Sequence, residues 1–168
     1  MRNLCEMIKK QVSANFINLE TAIKTYNRNA LVCGSPAWRY IYHTIHSADK
    51  WFFNPERYTE PEFHKVGMDN PDNPCDIELS DETLLEYLSK VQNKTYDYLD
   101  KIEDKDLYEK PDGCKYTRLE LVLAQFRHIS IHTGMINGLT IEKTGKFPVF
   151  CGLDETGFKK LEKSLYDD

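Results

Sequence analysis

Apolar residues recur at intervals of three and four over four stretches of the chain, the period of a helix with one buried face. The first runs from about Leu4 to Arg28, with Leu4, Ile8, Val12, Phe16, Leu19, Ile23 and Tyr26 in register and Asn27, Asn29 and Gly34 punctuating its end. The second opens at Ser35-Pro36. Serine suits an N-cap, and proline suits the first helical position because an N–H there has no partner inside the helix. Its stripe is Trp38, Ile41, Ile45, Ala48 and Phe52, and it stops before Pro55. Ser80 caps a third helix, about Asp81 to Ile102, whose buried register is Leu84, Leu88, Val91, Leu99 and Ile102, with Thr95 as its polar member. The fourth opens on Thr117-Arg118-Leu119-Glu120, a capping box, and continues to about Lys143 with Gly145 as stop signal. Leu119, Val122, Phe126, Ile129 and Ile136 form its stripe.

Between the second and third helices, from Asn54 to Leu79, the periodicity is lost among Pro55, Pro61, Pro71 and Pro74. A connection this long often covers a site, although a surface crossover is the plainer reading. After Phe147-Pro148-Val149-Phe150 a short helix is expected near Glu155 to Leu165, and no strand pair is apparent. The pattern therefore predicts an all-α chain: a four-helix bundle with one long crossover loop and a short C-terminal helix. A single domain, 1–168, would comprise the bundle to about residue 145 and a tail over 146–168.

Charge removes one class of partner. The net charge is −5 and no basic run is present, so a nucleic-acid backbone is not an expected partner. No apolar stretch is long enough to span a bilayer, and Met1-Arg2-Asn3-Leu4-Cys5-Glu6 lacks the core of a signal peptide. Five dispersed cysteines without a C-x-x-C pair read as reduced, structural thiols, which points to the cytoplasm.

The candidate chemistry lies in histidines. His128 and His132 are four apart on the fourth helix, so both imidazoles share one face and can share a metal ion. In zinc hydrolases with such a pair a glutamate follows the first histidine, whereas here Ile129 does. Alone, the pair reads first as satisfied core histidines, neutral because a buried imidazolium is costly. Gln125, one turn earlier, is placed to hold a ring N–H. The second helix supplies His43 and His46, either of which could complete a three-histidine site with positions open for water and substrate. A helical wheel sets His43 nearly opposite the Trp38-Ile41-Ile45-Phe52 stripe and His46 to one side. His64, in the proline-rich stretch, reads as a surface histidine.

Two segments resemble a known family. Tyr42-His43-Thr44-Ile45-His46-Ser47-Ala48-Asp49, shortly after a Ser-Pro helix start, is similar to the helix-two motif of the DinB/YfiT-like superfamily. The run from Arg127 to Gly138, His128-Ile129-Ser130-Ile131-His132-Thr133-Gly134-Met135-Ile136-Asn137 within it, resembles that family's H-x-x-x-H-x-G-x-x-N pattern. The resemblance covers most of the first 145 residues. It implies a bundle with a three-histidine divalent-metal site whose ligands are His43, His128 and His132, with His46 as neighbour and zinc or nickel as the expected ion. Members include metal-dependent S-transferases that use bacillithiol or mycothiol, and a mycothiol-dependent maleylpyruvate isomerase.

The expected function is thus a metal-dependent enzyme, a thiol S-transferase or a hydrolase. It would act on a small-molecule substrate, with a low-molecular-weight thiol as cosubstrate in the first case. Tyr42, His46 and Asp49 are the candidates for acid–base or positioning roles. The alternatives are a non-catalytic metal- or ligand-binding module and a plain structural bundle. Ala124, Ile131, Gly134 and Gly138 lie on the opposite side of the fourth helix, either packed within the chain or forming the homodimer interface common in the family.

Overall fold

A computed structural model describes residues 3–153 and 156–167. The chain is mostly helical, as an all-α reading requires. Helix α1 spans Asn3–Thr25, α2 Ala37–Trp51, α3 Asp81–Lys101 and α4 Arg118–Thr144, with a short α5 at Thr156–Leu161. Helix α1 packs on α3 and α4, and α2 packs on the same two. Among the described residues, no helix is long and apolar enough to cross a membrane.

The predicted stripes meet in one core. Phe16, Leu19 and Ile23 of α1, Ile41 and Ile45 of α2, Leu84, Leu88 and Val91 of α3, and Val122, Ile129 and Ile136 of α4 are all buried in it. Each such side chain contributes roughly 1.5–3 kcal/mol when fully buried. On α4, Leu121 is buried while Leu119 and Phe126 are half-buried, so the inward stripe is rotated slightly from the expected one.

The helix ends are set by both local and distant groups. Ser80 accepts from the Thr83 amide at 3.2 Å, and Thr117 and Glu120 form the predicted capping box. Gly145 ends α4 at φ +69°, a left-handed position that glycine occupies without a Cβ penalty. The start of α1 is capped from about a hundred residues away. The amides of Leu4 and Cys5 donate to the Asp104 carboxylate at 3.1 and 2.9 Å, from a 3-10 turn at Asp104–Tyr108.

Two expectations are corrected. Ser35-Pro36 is not the first turn of α2. It is strand β2, paired antiparallel with β1, Leu31–Val32, across a two-residue turn in which Cys33 and Gly34 both have positive φ. Pairing claims Ser35, whose hydroxyl donates to the Pro71 carbonyl, and α2 begins at Ala37 with no side-chain cap. A second short pair joins β3, Phe147–Pro148, to β4, Tyr166–Asp167. It is extended by the Val149 amide donating to the Leu165 carbonyl at 3.0 Å, so helix α5 stops at Leu161 rather than Leu165. The expected start at Glu155 lies outside the described residues. Asn18 of α1 ties this tail down, donating to the Cys151 carbonyl at 3.0 Å and accepting from its amide at 2.6 Å.

The crossover, residues 52–80, is more than a surface connection. Met68 is fully buried in the core, and Arg39, itself buried in α2, donates to the carbonyls of Asn70 at 2.7 Å, Asn73 at 3.0 Å and Met68 at 3.4 Å. One guanidinium thereby clamps the segment 68–73 across the polar side of α2.

Candidate metal centre

Helix α2 is enclosed on more than one side, and this brings His43 inward. Trp38, Ile41, Tyr42 and Ile45 enter the core, while Arg39, His46 and Asp49 are buried elsewhere on the helix. His43 reaches α4: its Nε2 lies 3.0 Å from Nε2 of His128, which lies 3.1 Å from Nε2 of His132. The three residues could hold a metal ion.

Proton placement follows from the partners. His43 Nδ1 is 2.6 Å from the Asp69 carbonyl oxygen, which can only accept. Nδ1 therefore carries the proton, and the Nε2 lone pair of a neutral His43 faces the other two rings. Burial pushes His128 and His132 down to about 4; His128 is lowered further by His132 and His43, and His132 further by His43. Both are neutral near pH 7, each with one proton to place. No placement suits both. If His132 Nε2–H donates to His128 Nε2, the His128 proton sits on Nδ1. If His128 Nε2–H donates to His43, two donors face each other or the His132 proton sits on Nδ1. Both Nδ1 atoms are buried and have no hydrogen-bond partner among the described residues.

A divalent cation fits the inner nitrogens. Imidazole nitrogens about 2.0–2.1 Å from a tetrahedral zinc ion are about 3.3 Å apart, close to the spacings found here. Gln125, expected to hold the outer nitrogen of His128, instead accepts from Ser47 Oγ at 3.1 Å. Only His43 has its outer nitrogen anchored, by Asp69, a residue that no sequence signal singles out.

Tyr42, His46 and Asp49 are engaged away from the three-nitrogen cluster. The Tyr42 hydroxyl lies 2.6 Å from His64 Nδ1, and burial, reinforced by Tyr58, Glu60, Asp69 and Asp49, raises its pKa strongly. It is a proton donor, not a base. His46 Nε2 lies 2.5 Å from Glu60 Oε2; burial lowers the imidazole's pKa against the opposing pull of that carboxylate. Asp49 accepts from Lys94 Nζ at 2.6 Å, Tyr87 at 3.0 Å and Tyr58 at 3.4 Å. It thus ties α2 to α3. His64 is not a surface histidine, because its ring stacks on His46 with centroids 4.9 Å apart. A cavity of about 370 Å³ beside this group is lined by Asp49, Phe63, Tyr87 and Lys94.

Comparison with known proteins gives no further guide: no family model, curated protein or solved structure matches the chain. The face of α4 read as a packing or dimer surface is open within the chain. Gly134 and Gly138 are exposed, a Cβ on either would meet nothing within 4 Å, and Ile131 and Met135 beside them are exposed.

Proposed function

We propose that the protein is a divalent-metal-dependent enzyme of the DinB-like type, a four-helix bundle in which His43, His128 and His132 hold zinc or nickel. The observation that carries this reading is the convergence of three imidazoles through Nε2, with His43 oriented by a backbone carbonyl and no proton arrangement that satisfies both His128 and His132. A bound divalent ion lowers the pKa of a coordinated water or thiol toward neutrality. The chain's residues do the rest. Asp69 fixes the His43 tautomer, and Arg39 fixes the segment that carries Asp69. Tyr42 keeps its proton and is hydrogen-bonded to His64, away from the three-nitrogen cluster. With a low-molecular-weight thiol the reaction is S-transfer to an electrophile; with water it is hydrolysis. The exposed α4 face with Ile131 and Met135 supports a homodimer, which sedimentation velocity tests.

Metal content of untagged protein, wild type against His128→Ala/His132→Ala, tests the site. Metal-dependent loss of bacillithiol or a similar thiol in the presence of an electrophile tests the activity. A non-catalytic metal-binding module is favoured by one observation: Asp49 is occupied by three donors, leaving little acid–base capacity there. Bound metal with no turnover across a broad thiol and electrophile panel would support the module.

A further inference from the structure

The turn of α2 after His43 carries a second convergent group, independent of the first. His46 comes from α2, while Glu60 and His64, four residues apart, come from the crossover. Glu60 Oε2 lies 2.5 Å from His46 Nε2 and 3.7 Å from His64 Nδ1. Both nitrogens thus lie within 4 Å of the same carboxylate oxygen, and the two rings stack at 17°. Tyr42 Oη is 2.6 Å from the same His64 nitrogen and adds a second oxygen.

We propose that His46, Glu60 and His64 form a second divalent-cation site, with Tyr42 at its edge, that fastens the crossover to α2. Two imidazoles and one carboxylate with open positions are a donor set for first-row divalent ions. It differs from the three-histidine centre in bringing a negative charge of its own. His46 and His64 are nearly enclosed, at 5% and 10% side-chain exposure, whereas Glu60 is 44% exposed. Glu60 can therefore withdraw the few tenths of an ångström needed for oxygen and nitrogen each to sit about 2.0–2.2 Å from an ion. The His46 proton moves to Nδ1, freeing Nε2. Tyr42, which donates to His64 Nδ1 without metal, turns its hydroxyl to the carboxylate.

Zinc titration of chelator-stripped, untagged protein tests this site, with stoichiometry read by elemental analysis after dialysis. Wild type is expected to hold two ions per chain. His128→Ala/His132→Ala should keep one, and Glu60→Gln and His64→Ala should each lose the other. Zinc should also slow trypsin cleavage after the exposed Arg57 and Lys65 about tenfold, in wild type and in His128→Ala/His132→Ala but not in Glu60→Gln. Circular dichroism confirms that the near-isosteric Glu60→Gln is folded. A single ion in wild type, retained by Glu60→Gln and His64→Ala, would overturn the proposal and leave a hydrogen-bonded network only. A single ion lost in those variants and retained without His128 and His132 would support it while refuting the three-histidine site. No ion in any protein refutes both.

Discussion

Replacing His128 by leucine is expected to stabilise the metal-free protein and to abolish the response of the three-histidine centre to zinc. Without metal, His128 brings a buried Nδ1 with no partner and an Nε2 pressed between two others at 3.0 and 3.1 Å. Leaving a buried polar atom unpaired costs about 1–3 kcal/mol. The side chain is only partly buried, so the lower part of that range, about 1–2 kcal/mol, is what leucine should recover. In a chain of this length that raises the melting temperature by about 2–8 °C. Zinc at about a thousand times its dissociation constant should stabilise the parent by about 4 kcal/mol, or about 8–16 °C, and the variant by nothing. Calorimetry in chelator and in zinc, both proteins carrying Glu60→Gln so that the second group is silent, reads both effects. If the leucine variant melts well below its parent in chelator, the histidines are a satisfied structural cluster and the reasoning fails.

Three other substitutions probe one support of the centre and two long-range ties of the fold. Arg39→Met removes three carbonyl contacts that fix the segment bearing Asp69, and zinc affinity should fall about 10–100-fold with the helical content unchanged, as titration against a chromogenic chelator would show. Asn18→Leu removes both hydrogen bonds to the Cys151 backbone and should cost about 1–3 kcal/mol, read as an earlier urea midpoint at constant slope. Asp104 is held below the usual carboxylate range chiefly by the Cys5 amide, so its folded pKa is lower than its unfolded one. Its contribution to stability is then present above about pH 4 and is lost as pH falls through the folded value, and Asp104→Asn should flatten that acid limb of the melting curve. An unaltered limb would assign acid sensitivity elsewhere.

What the sequence discloses is what is local to it. Ser80, Thr117, Glu120 and Gly145 act within a turn of the helix ends they set, so pattern and residue type suffice. The spacing of His128 and His132 is equally local and correctly places them together. A wheel misplaces His43 because it assumes one buried face, whereas α2 is covered by α3, α4 and the crossover, with polar Arg39, His46 and Asp49 among its buried residues. Glu60, His64 and Asp69 lie in a stretch without periodicity, and only the chain's return across α2 gives them partners. The Asp104 cap on α1 and the Asn18 latch on the tail join residues about a hundred or more positions apart, beyond any local pattern.

The clamp on the crossover has a consequence for the order of assembly. Arg39 meets its carbonyls 29 to 34 residues downstream, His43 meets Asp69 26 residues on, and Tyr42 meets His64 22 residues on. These are short closures, accessible while the remainder of the chain is still being made. His128 arrives 85 residues after His43, on the helix that also delivers Val122, Ile129 and Ile136 to the interior. The inner face of α4 and two of the three imidazoles of the cluster therefore arrive in one event. Zinc uptake by the three-nitrogen cluster in a refolding experiment should then track the docking of α4 and never precede it, making the centre a seal set on a finished fold.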